Sequence, residues 1–142
     1  MPSTMILTQS RRLFEATIAP ELALVPQARN TAFAIMQLWD IDESLAEDVR
    51  LTVSELVSNA IEHGTGRVEL RMTEMAGKVT VEVSDCNPTS PQIRNPHEDD
   101  PRGRGLMIVA SLAHRWGVSE DGYSAWAAFL DHSRRAEGGA GA

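Results

Sequence analysis

The chain has 142 residues, 42% of them hydrophobic and 23% charged, with a formal net charge of −7, a balance typical of one globular domain with its own core. Binding to nucleic acid depends on clustered lysine and arginine, and this acidic chain contains a single lysine, so no direct nucleic-acid partner is expected. The single cysteine excludes an internal disulfide framework and a thiolate zinc cluster. The sequence shows neither a membrane-length apolar run nor a signal-peptide pattern, so we expect a cytoplasmic protein that makes no membrane contact.

The first half of the chain predicts one strand followed by two helices. Residues 11–20 alternate between apolar and polar side chains, which favours a strand ended by Pro20. Residues 26–41 begin with a proline, a residue favoured in the first turn of a helix, and then place apolar side chains at helical spacing. Residues 43–63 show the clearest helical pattern, and Gly64 is predicted to end that helix as a carboxyl-terminal cap.

The second half predicts two strands, a long irregular segment, a helix and a closing hairpin. Residues 67–73 and 78–85 alternate, with valine, leucine and methionine sharing one face. The pattern then disappears over residues 85–104, and an irregular stretch of this length is typical of a functional lid or a disordered segment. Residues 105–114 return to helical spacing, and residues 116–130 predict two strands around an Asp-Gly turn.

This order of elements favours an α+β sandwich. Strands and helices do not alternate strictly along the chain, so a doubly wound parallel sheet is not favoured. We expect one domain over residues 1–131. Residues 132–142 offer nothing to bury and are predicted to form a flexible tail.

Three polar side chains follow one another at intervals of four residues in the long helix: Glu55, Asn59 and His63. This spacing stacks them along one line that borders the apolar stripe of the helix. An amide oxygen such as that of Asn59 suits Mg²⁺, and Glu55 is placed to accept a proton from an attacking hydroxyl or water. The alternative is a polar helix flank with a Glu–Asn hydrogen bond. His63 is explained by the carboxyl-terminal end of the helix, where an imidazole is favourable.

Two glycines, Gly103 and Gly105, stand where the irregular segment is predicted to turn into the last helix. Glycine lets the backbone approach a ligand closely, and the free amides of a helix start bind anions. Arg102 and Arg104 add side chains that clamp phosphate. The alternative for the glycines is an ordinary helix start.

Asp85 is predicted to end a strand, where its carboxylate would point into a pocket. A carboxylate in that place accepts a hydrogen bond from an exocyclic amine such as that of adenine. The alternative is an aspartate that begins a turn before Asn87 and Pro88, because aspartate favours turns by bonding its own backbone.

Taken in order, the segments ELVSNAIEHG, VEVSDCNP and GRGLMIVASLA resemble the three nucleotide-binding boxes of the GHKL (Bergerat-fold) ATPases, which include histidine kinases and gyrase. Within that family the chain is most similar to the anti-sigma-factor serine/threonine kinases of the small actinobacterial type, as the closing segment RWGVSEDGYSAWAAFL supports. The resemblance covers roughly Leu13 to Leu130. It implies a two-layer ATP-binding fold, with a mixed, mainly antiparallel sheet covered on one face by about three helices.

The resemblance also implies a role for each site residue. Glu55 would be the general base, Asn59 the Mg²⁺ ligand and Asp85 the acceptor for the adenine amine. The remaining residues would form the turn around the phosphates of ATP: Gly103, Arg104, Gly105 and Leu106. The sequence departs from the family at Asn87, where the adenine box usually has glycine.

For activity and partners, the resemblance implies an ATP-dependent serine/threonine protein kinase that regulates transcription by partner switching. It would phosphorylate an anti-anti-sigma (STAS-type) antagonist and capture a sigma factor. In this subgroup the sigma factor is commonly captured by a homodimer. Asn87 and the acidic segment 97–101 keep open a second hypothesis, a nucleotide-binding module that captures a partner without turnover. A third and weaker one is a detached histidine-kinase catalytic domain.

Overall fold

The structure, a computed structural model, describes residues 10–64, 66–85, 101–120 and 122–132, and for residues 101–104 it describes the backbone alone. A short 3₁₀ turn, Leu22–Leu24, precedes the first helix. The other elements are β1 (Arg12–Ile18), α1 (Val25–Leu38), α2 (Glu43–His63), β2 (Val68–Met75), β3 (Lys78–Asp85), α3 (Pro101–Leu112), β4 (Arg115–Val118) and β5 (Ser124–Leu130).

The strands form one sheet in the order β1-β2-β3-β5-β4, and every pair of neighbours is antiparallel. The predicted α+β sandwich with a mainly antiparallel sheet is therefore confirmed, and the described strands include no parallel pair. The last hairpin returns to the centre of the sheet, since β5 pairs with β3 and leaves β4 at the edge. This crossover places the end of β3 beside the turn between β4 and β5.

The sheet buries one of its faces under the helices. Alternate residues of β2 and β3 are at most 3% exposed, and they form the predicted apolar faces: Val68, Leu70, Met72, Val79, Val81 and Val83. The register sets Leu70 opposite Val83 and Met72 opposite Val81, so the two strands present one continuous surface to the helices. The intervening positions of β2 and β3 carry polar side chains such as Arg71 and Glu82, which face away from the core.

The long helix α2 lies over the middle of the sheet, with α1 and α3 packed against it. Its bounds, Glu43–His63, agree with the predicted helix. Val49, Val53 and Leu56 are at most 3% exposed, and Leu45 and Ala60 are partly buried against the same core, which confirms the predicted apolar stripe. None of the helices in the described ranges combines the length and apolar character that crossing a bilayer requires.

One predicted helix end is confirmed and one predicted start needs correction. Gly64 caps the carboxyl-terminal end of α2 as predicted, with an extended backbone (φ −96°, ψ 177°) and its N–H bonded to the carbonyl oxygen of Ala60. The last helix begins at Pro101 and ends at Leu112, whereas residues 105–114 were predicted. Proline is favoured in the first turn of a helix because its fixed φ suits that position and its missing N–H would have no partner there.

Each hairpin has a glycine with positive φ at its turn, Gly77 in the first and Gly122 in the second, while Asp121 of the predicted Asp-Gly turn lies outside the described residues. Ala76 and Gly77 connect β2 to β3 with positive φ values of 51° and 83°, as a tight two-residue hairpin turn requires. In the second hairpin Gly117 lies opposite Trp126, and a Cβ on Gly117 would come within 2.9 Å of the indole ring. Residues 133–142 of the predicted tail lie outside the described residues, as do residues 86–100 of the predicted lid.

Candidate functional site

A cleft opens at one end of the sheet, between α2, α3 and the second hairpin. It is partly open to solvent, as concave sites for small molecules usually are. Three of its described lining residues were predicted as site residues: Asn59, Asp85 and Leu106. The rest come from the helix, the sheet and the second hairpin: Leu56, Ala60, Val83, Val118, Gly122, Tyr123, Ser124 and Ala125.

Asp85 is one of the residues that line this cleft. It is the last residue of β3 and is only 5% exposed, with its Oδ1 atom buried. Its backbone is held on both sides, because it pairs with Val68 of β2 and its N–H donates to the carbonyl oxygen of Tyr123 at 2.8 Å. A carboxylate fixed among apolar walls is an acceptor of defined position for a ligand amine.

Gly64 lies directly against the side chain of Asp85. A Cβ on Gly64 would stand 2.7 Å from the Cγ of Asp85 and closer still to its Oδ2. It would also collide with the carbonyl oxygen of Ala60, to which the Gly64 N–H donates a 2.9 Å hydrogen bond. The end of α2 and the end of β3 therefore meet at a contact that only glycine permits.

The predicted polar line on α2 is partly buried, as its place at the border of the apolar stripe suggested. Glu55, Asn59 and His63 are all partly buried, and Asn59 reaches the wall of the cleft. Gly105 of α3 lies against the first two of them. A Cβ there would stand 2.9 Å from the Asn59 Nδ2 atom and 3.0 Å from the Glu55 Oε2 atom. The structure thus brings Glu55, Asn59 and Gly105 together, as the sequence analysis expected.

The position of the two glycines in α3 differs from the expectation. Because α3 begins at Pro101, Gly103 and Gly105 lie inside its first two turns and not at the junction of loop and helix. Gly105 therefore serves as a packing position, where the missing Cβ lets α3 approach the polar side chains of α2. The backbone of Arg104 belongs to the same helix, whereas the side chains of residues 101–104 and all of Asn87 lie outside the described residues.

The polar side chains at the cleft fit a magnesium ion that takes most of its ligands from a bound nucleotide. The described residues contain no group of three or more His, Cys, Asp or Glu side chains placed to bind a metal. Mg²⁺ does not need such a group when waters and substrate phosphates supply most of its ligands. Asn59, which lines the cleft and packs against Gly105, would supply one protein oxygen.

The second hairpin forms a wall of the cleft that the sequence analysis did not find. Tyr123 and Ser124 line it, together with Val118 from the edge strand. Hydrogen bonds hold the turn in place: Ser124 N–H donates to the Ser119 hydroxyl at 3.1 Å, and Gly122 N–H donates to the Ser119 carbonyl at 2.9 Å. The sequence predicts this hairpin but carries no local signal for which strand it joins, so its role at the site was not visible.

Residues 18–128 match the family model of the histidine kinase-like ATPase domain. The match includes α2, β3, α3 and the second hairpin, which together build the cleft. No curated protein sequence matches the chain.

Proposed function

Because the chain belongs to the histidine kinase-like ATPase family, we propose that it is an ATP-dependent serine/threonine protein kinase that also acts as an anti-sigma factor. The family implies ATP as the nucleotide. The finer activity is supported by the residues of the cleft and by the resemblance of the whole chain to the short anti-sigma-factor kinases.

One observation carries the proposal: a single cleft is lined both by the buried carboxylate of Asp85 and by the amide of Asn59. Asp85 would accept a hydrogen bond from the adenine amine. Glu55 lies one helical turn before Asn59, and both side chains approach Gly105 of α3. An amine acceptor and the proposed metal ligand in one cleft suit a nucleotide.

The polar residues of α2 would have distinct tasks at the phosphates. Asn59 would supply an oxygen ligand to Mg²⁺, and the bound metal would offset the negative charge of the phosphates. The Glu55 carboxylate accepts the proton of a serine or threonine hydroxyl as that oxygen forms its bond to the γ-phosphorus. The bond from the γ-phosphorus to the bridging oxygen breaks, and ADP leaves with that electron pair. Positioning supplies most of the rate enhancement in such transfers.

The proposed protein substrate is a small anti-anti-sigma antagonist of the STAS type, and the proposed captured partner is a sigma factor. Both are cytoplasmic proteins, so the proposal implies a cytoplasmic location for this chain. Phosphorylation would release the antagonist and leave the kinase able to hold the sigma factor, so transcription would be regulated by partner switching.

The test is a transfer assay with γ-labelled ATP, Mg²⁺ and the antagonist recovered with this chain from its native cytoplasm. Glu55→Gln keeps the shape of the side chain but removes its basicity, so we expect transfer to fall by about 10²- to 10⁴-fold. ATP affinity, measured by titration calorimetry, should stay close to that of the wild type. Phosphorylation of one serine or threonine is read by mass spectrometry.

Glu47→Gln is the matched control, because Glu47 is an exposed carboxylate of the same helix, paired with Arg50 at 3.8 Å and away from the cleft. That variant should transfer phosphate at the wild-type rate. Equal transfer by Glu55→Gln and the wild type would reject Glu55 as the base. ATP binding without phosphorylation of any recovered partner would reject the kinase activity.

The position of Gly105 favours a second candidate function, a nucleotide-gated binding module without turnover. Gly105 lies against both Glu55 and Asn59, and of these two only Asn59 is among the described residues that line the cleft. A nucleotide that reaches Glu55 would have to displace α3, and this displacement would itself control capture of a partner. In that case partner affinity depends on ATP, while ATP is recovered unchanged.

A further inference from the structure

We propose that Gly64 is a positioning residue for recognition of the nucleotide base, because it fixes the direction of the Asp85 carboxylate. Gly64 lies behind Asp85: it touches that side chain but is not among the described residues that line the cleft. The proposal rests on the proposed role of Asp85 as the acceptor for the amine of an aminopurine nucleotide.

The backbone of Asp85 cannot move away from a larger residue at position 64. Asp85 ends the central strand β3, where it is paired with Val68 on one side and bonded through its N–H to Tyr123 on the other. The Asp85 side chain has only two rotatable bonds, so any retreat from position 64 has to turn the carboxylate itself. A Cβ at position 64 would stand 2.7 Å from the Asp85 Cγ, and the carboxylate would leave the direction in which it faces the cleft.

Backbone conformation does not explain the glycine. Gly64 has a φ of −96° and a ψ of 177°, an extended conformation that residues with side chains adopt without strain. The glycine is required by the two close neighbours, the Asp85 carboxylate and the Ala60 carbonyl oxygen. One of these contacts concerns the site and the other concerns only the last turn of α2, so an experiment has to separate them.

The experiment compares two nucleotides, ATP and purine riboside triphosphate, which has hydrogen in place of the adenine amine. We expect the wild type to prefer ATP by about 10- to 100-fold, as is usual for a hydrogen bond to a charged group. Gly64→Ala should remove most of that preference by weakening ATP binding, and should leave the affinity for the analogue nearly unchanged. Titration calorimetry measures both affinities, and thermal unfolding is recorded in parallel.

Gly117→Ala is the matched control. It also places a Cβ within 2.9 Å of a neighbour, the Trp126 ring, but this contact lies on the sheet face that points away from the helices. The control variant should lose stability and keep the wild-type preference for ATP. If both variants lost the preference equally, general destabilisation would explain the result and the proposal would be wrong.

A double variant separates the two neighbours of Gly64 and remains informative if Gly64→Ala fails to fold. In the Asp85→Ala background the carboxylate is absent, so Gly64→Ala should lower the melting temperature less than it does in the wild type. It should also leave the affinities for both nucleotides unchanged in that background. An equal loss of stability in the two backgrounds would assign the effect to Ala60 and overturn the proposal.

The outcomes also distinguish this inference from the proposed role of Asp85. A wild type that binds ATP and the analogue equally would reject Asp85 as the amine acceptor, and the role of Gly64 with it. A wild type that prefers ATP, together with a folded Gly64→Ala variant that keeps the full preference, would reject the role of Gly64 alone.

Discussion

The two halves of α2 follow the same apolar repeat but have different surroundings. In the first half Ala46, Val49 and Val53 are at most 1% exposed and belong to the core between the helices and the sheet. The last fully buried residue of the helix is Val57. Beyond it Asn59 and Ala60 are only partly buried and line the cleft.

This difference shows that the apolar repeat specifies which side of a helix faces inward, but not which elements pack against that side. Over the first half, the inward side meets the valines of the sheet and is sealed. Over the last two turns, it meets the end of β3 and the second hairpin, which leave space between them. Polar side chains on the border of the stripe are therefore held near a cavity by a helix that is anchored elsewhere.

The largest effect, a loss of stability, is expected for Val53→Ala in the first half of α2, where the inward side is sealed against the sheet. Val53 is fully buried, and removing two methyl groups from a packed core should lower the free energy of unfolding by about 2 kcal/mol. Urea denaturation measures this loss. ATP affinity per folded molecule should not change, and a weaker affinity in the folded variant would mean that the core and the cleft are not separable.

Asn59→Ala in the open half should show the reverse pattern. Loss of the amide oxygen should reduce the gain in ATP affinity that Mg²⁺ provides by at least about tenfold, the loss that even an outer partner of a metal site causes. Stability should change by no more than about 0.5 kcal/mol, since the side chain is only partly buried.

Titration calorimetry with and without Mg²⁺ measures this effect, and Asn59→Asp, which keeps an oxygen ligand, is the control. A Mg²⁺ dependence in Asn59→Ala equal to that of the wild type would show that Asn59 does not hold the metal.

The smallest effect is expected at the amino-terminal end of the same helix. The hydroxyl of Ser44 donates to Asp42 at 2.7 Å, and this bond, with smaller contributions from the amides of Leu45 and Ser44, lowers the pKa of Asp42 below its ordinary value of 3.8. A lowered pKa in the folded state stabilises the protein above the ordinary value, and that stability is lost as the pH falls through the folded pKa.

Asp42→Ala should therefore lower the melting temperature slightly at pH 7. The difference from the wild type should shrink only as the pH falls below 3.8 and through the lowered pKa of the folded state. Ser44→Ala should reproduce part of this behaviour, because it removes the main donor. A difference that stays constant through the whole acid titration would show that the charge of Asp42 is not involved.

The regular parts of the fold were visible in the sequence because each depends on local rules. The alternation of Val79, Val81 and Val83 gave the buried face of β3, and the spacing of Val49 and Val53 gave that of α2. The residues of the polar line were visible for the same reason, since spacing by four fixes their side of the helix. The start of α3 differs from the prediction because the two glycines suggest a later start, whereas the helix begins at Pro101, a residue favoured in the first turn.

The sequence by itself thus determined the elements, their inward faces and the identity of the polar groups, since these follow from periodicity over a few residues. Only the tertiary structure decided that the second hairpin pairs with β3, that Tyr123 walls the cleft, and that Gly64 and Gly105 are close-packing positions. Such contacts join segments far apart in the chain, and their geometry depends on the packing of the whole sheet and its helices. For this reason no local pattern records them.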